Sequence, residues 1–540
     1  MGNIAPPNMF RRAAVLAMTS AALLILAFPS FNQSWAAWIA LVPWLLFLRG
    51  ATPRAALLWS SLIGFVFFLA SMWWLIHVTV AGWLILCAYL ALYFGAFGWL
   101  VTALATRRKD QATGRTRWGR REFIWLVPAV WVASEYARSR VLSGLGWNLL
   151  AYSQTTRLQL IQIADVTGVW GVSFVVVLVN VVIADMLHAV SWRKGRRAED
   201  HAALPQATSR LTAGLIVWLL ALAYGAWRLD HLPAGSSVRV AVVQGNIPQE
   251  EKWDEAARES IVSRYEGLTR EAARSRPQLI VWPETATPGY LDLDEFVTQR
   301  VSALARSVGI PLLVGAPMGY LDAAQWRITN SAALLDPDGA IRQRYDKLHL
   351  VPFGEFVPFE AQAPWLRGIL PPIGEFSPGM HPTVFRLANR EPRATSRAAA
   401  PPPFSVLICF EDIFPQIARR FVREGARLLL VITNDAWFGP TAAAYQHAQA
   451  STFRAVELRV PVVRAANTGW SGCIDPAVRW VDRVHHASGK ELFVAGTQTC
   501  EVPTGSSHTV YCRWGDWFAL GCVLVSLGVL GTAFRRHSSS

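Results

Sequence analysis

Cysteine is scarce in this chain: six in 540 residues, too few and too scattered for a disulfide-stapled scaffold. Cys87 and Cys522 lie in apolar runs, which leaves Cys409, Cys473, Cys500 and Cys512 outside them, and a Cys500–Cys512 bridge stays open at this level. No second ligand stands at zinc spacing from His349 or His447, so both histidines are expected to be structural and no metal site is expected. A nucleic-acid motif is also missing. The excess of 51 Lys and Arg over 37 Asp and Glu falls between apolar runs rather than along one face, which excludes nucleic acid as the first reading of the charge.

What the chain has instead is apolar length. It is 53% hydrophobic with a positive mean hydropathy, too apolar for an ordinary soluble protein. Seven apolar segments precede residue 230, at about 12–29, 35–48, 55–78, 80–105, 123–137, 169–190 and 211–228, and one follows at about 517–534. The second and fifth are short, but flanking Trp and Tyr can lend a span its interfacial ends. Arg11 and Arg12, Arg49 and Arg54, "RRKDQATGRTRWGRR", "WRKGRR", and Arg535 and Arg536 all fall on one side if every segment crosses. The positive-inside rule makes that side cytoplasmic, with both termini on it, and exports the region from about 230 to 515. The first run lacks a small-residue cleavage site, so it reads as a span rather than a signal peptide. The expected division is a seven-span domain at 1–230, an exported domain at 231–512, and a C-terminal helix with a short tail at 513–540.

Within the exported region short strands alternate with amphipathic helices. "VRVAVVQGNI", "PQLIVWPETA", "PLLVGAPMG", "PFSVLICFED", "RLLLVITND" and "VPVVRAANTG" read as strands, and "NSAALLDPDGAIRQRYDK" as two strands around an Asp-Pro-Asp-Gly turn. Near-continuous Val, Ile and Leu implies a sheet buried on both faces or an α/β sandwich. "EPRATSRAAAPPP", 391–403, reads as a surface insertion.

Function gathers at the carboxyl ends of strands in such folds. Three strands here end in reactive residues, Glu284, Lys347 and Cys409. Singly each is commonplace; together they make acyl-transfer chemistry. A free thiol is only a few per cent thiolate near neutral pH, so a nucleophilic Cys409 needs a base, which Glu284 supplies. Lys347 would stabilise the thiolate and then the oxyanion, and Glu355 would hold the lysine. The two carboxylates directly after the cysteine, Glu411 and Asp412, disfavour a thiolate unless they point elsewhere.

At these residues the sequence resembles the nitrilase superfamily, whose members carry a Glu, Lys and Cys triad on an αββα sandwich. "VQGNIPQEEKW", "VWPETATP", "YDKLHLVPFGEFVP", "ICFEDIFP", "TNDAWFGPTAAAYQH" and "VVRAANTGWSG", with several spans before the domain and one after, look like the membrane-bound branch of that superfamily, the apolipoprotein N-acyltransferases of Gram-negative bacteria. The resemblance covers nearly the whole chain. It implies Cys409 as nucleophile, Glu284 as base, Lys347 as oxyanion stabiliser, Glu355 and Glu411 as required carboxylates, and Trp253 beside the substrate. It also implies an inner-membrane protein with a periplasmic catalytic domain, without a metal or organic cofactor, working as a monomer. The reaction implied moves a fatty acyl chain from a phospholipid, typically phosphatidylethanolamine, through a Cys409 thioester to the diacylglyceryl-cysteine amine of an apolipoprotein. The family pattern has tyrosine where this chain has Phe410, so a phenol hydrogen bond is lost, and "CIDPAVRW" lacks the glycine expected in its hairpin turn.

A lipid substrate also follows from energetics. At about 0.8 kcal/mol per CH₂, lifting a chain of roughly sixteen carbons into water costs on the order of 12 kcal/mol. The loop "FVPFEAQAPWLRGILPPIG" has the composition of a lid or membrane-dipping arm, with Phe356, Phe359, Trp365 and Leu366 as anchors. Glu135, near the end of the fifth segment, is either functional or paired with Arg138. Two other readings compete. A membrane-anchored amidase would use the same triad with water as acceptor, but anchoring needs only one span. A transporter with a fused regulator would need charge-bearing, interrupted spans, and these carry few charges.

Overall fold

The computed structural model of the chain describes residues 7–106, 122–195, 203–232, 236–322, 325–358, 360, 362, 375–387, 402–504 and 509–535. Contacts divide it into two units, Met1–His231 with Trp514–Ser540, and Leu232–Arg513.

The first unit is helical, with α1 (Pro7–Ala27), α2 (Val42–Leu48), α3 (Pro53–Ser71), α4 (Val80–Thr106), α5 (Phe123–Arg138), α6 (Val169–Gly195), α7 (Ala203–Asp230) and a C-terminal helix at Trp517–Arg535. Five stretches among the described residues are long and apolar enough to cross a membrane: Phe10–Ala27, Pro53–Ser71, Val80–Ala105, Val169–Ser191 and Leu204–Asp230. Ser34–Leu48 and Trp517–Gly531 are shorter apolar helices. α3 starts where its sequence dictates, with Pro53 in the first turn and the Thr52 side chain accepting from the Ala55 amide. It stops at Ser71, short of the expected 78, and Trp73–His77 continues as a tighter 3₁₀ turn.

α7 begins eight residues before its apolar run because its polar first turns have partners. Arg210 pairs with Asp185 at 2.5 Å, and Asp185 also takes Arg49 at 2.8 Å. A carboxylate within an apolar helix is tolerated when paired in this way. Glu135 and Arg138 both hold the 144–154 loop: the Leu150 amide donates to Glu135 Oε1 at 2.7 Å, and Arg138 Nη1 donates to the Trp147 carbonyl at 2.7 Å.

The second unit is a two-sheet sandwich with helices on its outer faces. β1 (Ser237–Gln244), β2 (Leu279–Val281), β3 (Leu312–Asp322), β4 (Gln325–Leu335), β5 (Ile341–Asp346) and β11 (Gly496–Pro503) form one sheet, in the order β11-β1-β2-β3-β4-β5. The other runs β10-β9-β8-β7-β6, built from β6 (Phe404–Ile408), β7 (Leu428–Thr433), β8 (Val462–Ala466), β9 (Gly472–Ile474) and β10 (Trp480–Arg483). β1, β2 and β3 are parallel, as are β6, β7 and β8, because α8 (Arg258–Ala273), α9 (Glu295–Val308), α10 (Pro415–Arg423) and α11 (Ala443–Leu458) serve as crossovers. The core beneath α8 and α9 is apolar on both sides, with Ile280, Val314 and Ala316 packed against Ile261, Val301 and Leu304.

One disulfide, Cys473–Cys500, joins β9 of one sheet to β11 of the other, with Cα atoms 6.4 Å apart. It corrects the pairing left open in the sequence, since Cys512 is free. Most of 391–403 lies outside the described residues, but its flanks meet: Phe385 and Phe404 pair across an antiparallel bridge with ring centroids 5.2 Å apart.

The β9–β10 turn shows why a glycine was missed. Val478 occupies the left-handed position at φ 65°, and its amide donates to the Asp475 carbonyl at 2.8 Å. A β-branched residue there carries backbone strain on the order of 1 kcal/mol or more. Val478→Gly relieves that strain but removes a side chain that is 1% exposed, whose burial is worth about 1.5–3 kcal/mol, so the urea midpoint is expected to fall with the slope unchanged, a net loss of about 1 kcal/mol.

Candidate active site

The carboxyl ends of four strands converge on one cluster. Lys347 directly follows β5, Cys409 directly follows β6, Asn434 directly follows β7, and Glu284 stands three residues beyond β2. The two sheets thus contribute two residues each. Glycine makes the approach of β3 to Glu284 possible, because a Cβ on Gly315 would lie 2.1 Å from the Pro283 carbonyl oxygen and 2.8 Å from Glu284 Cα.

Lys347, 1% exposed in its side chain, lies between two carboxylates, with Nζ 2.9 Å from Glu355 Oε1 and 3.4 Å from Glu284 Oε1. Burial opposes its charge, but Glu355 and Glu284 outweigh it and hold the ammonium pKa above its ordinary value. Asn330 on β4 bridges the same two acids, donating from Nδ2 to Glu284 Oε1 at 2.7 Å and to Glu355 Oε1 at 2.8 Å. The Asn434 amide donates to the other oxygen of Glu284 at 2.8 Å. Every oxygen of the Glu284 carboxylate is therefore aimed.

Cys409 lies in the left-handed region at φ 52°, a sharp bend between an apolar strand and a 3₁₀ turn at Cys409–Ile413. Burial pushes its thiol well above the usual range, Glu284 and Asp435 push the same way, and Lys347 and Thr433 oppose them. At rest it is a thiol. A nucleophilic role for it would therefore need a base to act during attack.

The two carboxylates after it do not face it as free charges. Glu411 is fully buried, and its Oε1 accepts from Tyr345 Oη at 2.8 Å and from the Leu348 and His349 amides at 2.7 and 3.1 Å. Its Oε2 accepts from the Ile408 amide at 2.8 Å. Burial pushes the Glu411 carboxyl up to about 7, against the Ile408 amide, the Lys347 charge, Tyr345 and the His349 amide. Asp412 accepts from Arg464 Nη1 at 2.7 Å and Ser451 Oγ at 2.5 Å, and its other oxygen lies 2.9 Å from His447 Nε2.

Sequence reasoning missed Lys252, which is 2% exposed and donates to Thr285 Oγ1 at 2.7 Å and to the Glu284 carbonyl at 3.2 Å. It pins Thr285, which has φ 43°, and so steadies the backbone that carries Glu284. Burial lowers its pKa to about 8, against the opposing pull of Glu284 and Cys409. In "QEEKW" nothing but its neighbour Trp253 marked it out. Asn434 was more legible, since "LLLVITND" ends in polar residues just as "SVLICFED" does.

Trp253 is 54% exposed, so its ring is open to a substrate. Phe410 packs edge-on against Phe414 at 5.0 Å and beside His349 at 6.0 Å, a contact that needs no phenol. Phe356 is half-buried, and its carbonyl accepts from the Phe353 amide at 2.8 Å. Phe359, Trp365 and Leu366 lie outside the described residues.

A half-buried cysteine bordered by glutamate and lysine on a two-sheet sandwich defines a carbon-nitrogen hydrolase domain of the nitrilase type, and residues 239–498 match the Carbon-nitrogen hydrolase family. Residues 20–182 match the apolipoprotein N-acyltransferase N-terminal domain. Proteins named apolipoprotein N-acyltransferase are similar over nearly the full length: that of Geobacter metallireducens is 38% identical (98% of this chain, 96% of that one), and that of Methylococcus capsulatus is 34% identical (98% of each). That of Chlorobaculum tepidum is 31% identical over 84% of this chain and 85% of its own. The chain belongs to the apolipoprotein N-acyltransferase family.

Proposed function

We propose that this enzyme transfers a fatty acyl chain from a membrane phospholipid, phosphatidylethanolamine in the first instance, to the N-terminal amine of diacylglyceryl apolipoproteins. The observation that carries the reading is the Lys347 ammonium held between Glu284 and Glu355 within the electrostatic reach of Cys409.

In the first half-reaction Glu284 takes the Cys409 proton as sulfur attacks the ester carbonyl carbon. The oxyanion develops beside Lys347, whose charge needs no reorganisation. Collapse breaks the ester C–O bond, Glu284 returns the proton to the leaving lysophospholipid oxygen, and the acyl chain stays on sulfur. In the second half the lipoprotein amine attacks the thioester, Glu284 accepts its proton, and the thiolate leaves to be reprotonated. Glu355 and Asn330 keep Lys347 and Glu284 in place through both halves, and Glu411 shapes the turn that carries the nucleophile. Trp253 offers an aromatic face beside the substrate.

Eight membrane crossings, cytoplasmic termini and a periplasmic catalytic domain in the bacterial inner membrane complete the proposal. The Cys473–Cys500 disulfide suits an oxidising compartment of that kind, and the enzyme works as a monomer.

Intact-mass spectrometry of the full-length protein after exposure to phosphatidylethanolamine, without lipoprotein, is expected to show one added acyl chain mapping to Cys409. A diacylated lipopeptide amine should discharge it. An unmodified mass would sink the thioester route, and rapid discharge by water that the lipopeptide does not accelerate would make the enzyme a hydrolase.

A further inference from the structure

We propose that His447 is a positioning residue of the acyl-transfer site, an imidazole anchored at both nitrogens that fixes the Cys409–Phe410 peptide. The proposal deepens the reading of Cys409 as nucleophile and rests on it. His447 projects from α11, a helix that carries none of the residues so far given a chemical role. Its Nδ1 lies 3.0 Å from Asp435 Oδ1, and its Nε2 lies 2.9 Å from Asp412 Oδ1 and 3.2 Å from the Cys409 carbonyl oxygen. All three partners accept only. Both ring nitrogens therefore donate, which is the imidazolium form.

The carbonyl it touches belongs to the residue with the left-handed bend. A trans peptide directs its C=O and N–H to opposite sides, so holding the Cys409 carbonyl also sets the direction of the Phe410 amide. That amide opens the 3₁₀ turn, where the first N–H groups have no partner within the helix. A rotation at this peptide would move both the sulfur and the amide beside it.

The charges around His447 are Asp412 beyond β6, Asp435 beyond β7 and Arg464 on β8, whose Nη1 reaches Asp412 Oδ2 at 2.7 Å and whose Nη2 lies 4.0 Å from Asp435 Oδ2. With the imidazolium, two cations face two carboxylates and the layer is neutral. Without it, one uncompensated negative charge remains next to the nucleophile. Burial works against the imidazolium, but Asp412 and Asp435 overcome burial and the repulsion of Arg464, and its pKa rises to about 9. His447 therefore stays charged through the neutral range, and its proton is lost as pH rises through about 9.

The test is the pH profile of Cys409 alkylation by iodoacetamide, read by peptide mass spectrometry on full-length protein, which needs no acyl donor. In the wild type the rise of the rate with pH should flatten above about 9, because the departing proton raises the thiol pKa further. His447→Gln should lack that inflection, react about tenfold more slowly at neutral pH, and lose about 10²-fold in kcat for acyl transfer with KM unchanged. Asp435→Asn, which leaves one carboxylate on the ring, should move the inflection below 9, and it serves if His447→Gln does not fold. Wild-type profiles in folded His447→Gln, or an unmoved inflection in Asp435→Asn, would overturn the proposal. If the alkylation results hold while the wild type takes no acyl chain from phospholipid, the functional reading fails and the clamp on Cys409 stands.

Discussion

Cys409→Ala should form no acyl adduct and lose on the order of 10⁶-fold in kcat, the loss expected when the nucleophile of a covalent mechanism is removed. The half-buried thiol is raised in pKa, so it contributes little charge at rest, and its whole value in the proposed mechanism lies in the bond it forms. In the proposed mechanism the residual machinery cannot substitute, because with Lys347 and Glu284 intact but no thiol, no acyl chain can be held while the acceptor replaces the donor. Cys409→Ser should be slow and should trap, because an oxygen ester yields to an amine less readily than a thioester does. Transfer assays with labelled phospholipid check both, and full transfer in the alanine variant would remove the cysteine from the mechanism.

Lys347→Met should lower kcat/KM by on the order of 10³-fold, as expected for loss of an oxyanion donor, and destabilise the fold by about 3–5 kcal/mol. The variant fills the same space with an apolar chain but leaves Glu284 and Glu355 buried together, joined by Asn330 with no cation between them. Like charges so close cannot both persist, so one carboxyl takes up a proton. If Glu284 takes it, the base is lost together with the oxyanion donor. The stability arm has a pH sign: the folded variant binds a proton that its unfolded chain releases above about pH 4.3. Its stability deficit should thus grow as pH rises from 5 to 8. Activity within tenfold of wild type would contradict the role given to Lys347.

The candidate site was legible where strand ends advertise it. "LIVWPE", "RYDK" and "VLIC" each break an apolar run with one reactive residue, and those residues are the ones that cluster. The resemblance supplied what single strand ends could not, including Trp253. Long-range partners were not legible. Asn330 sits inside a strand reading, Lys252 in a charged run, and two of the three amides that occupy Glu411 come from a loop more than sixty positions away. Such residues are selected by where the chain returns in space, and no local period records that. The fold's alternation of strands and helices was plain, whereas the early start of α7 was hidden because Arg210 looks like the end of a helix until Asp185 is placed beside it. The Cys473–Cys500 pair was equally hidden, as neighbours across two sheets are 27 positions apart in sequence.

The four donors on Glu411 have a mechanical consequence. One carboxylate rivets the Cys409 turn to the start of the Lys347 loop, so the two ends of the reaction centre travel as one body. A long-chain lipid and then a lipoprotein must nevertheless come and go between the two halves of a cycle. Admission and release must therefore be governed by segments that leave this rivet untouched, which separates the tolerance for motion at the entrance from the rigidity the chemistry requires. Substitutions at the entrance should change which chains are admitted and how fast they exchange, while those at the rivet should change the intrinsic rate for every chain alike.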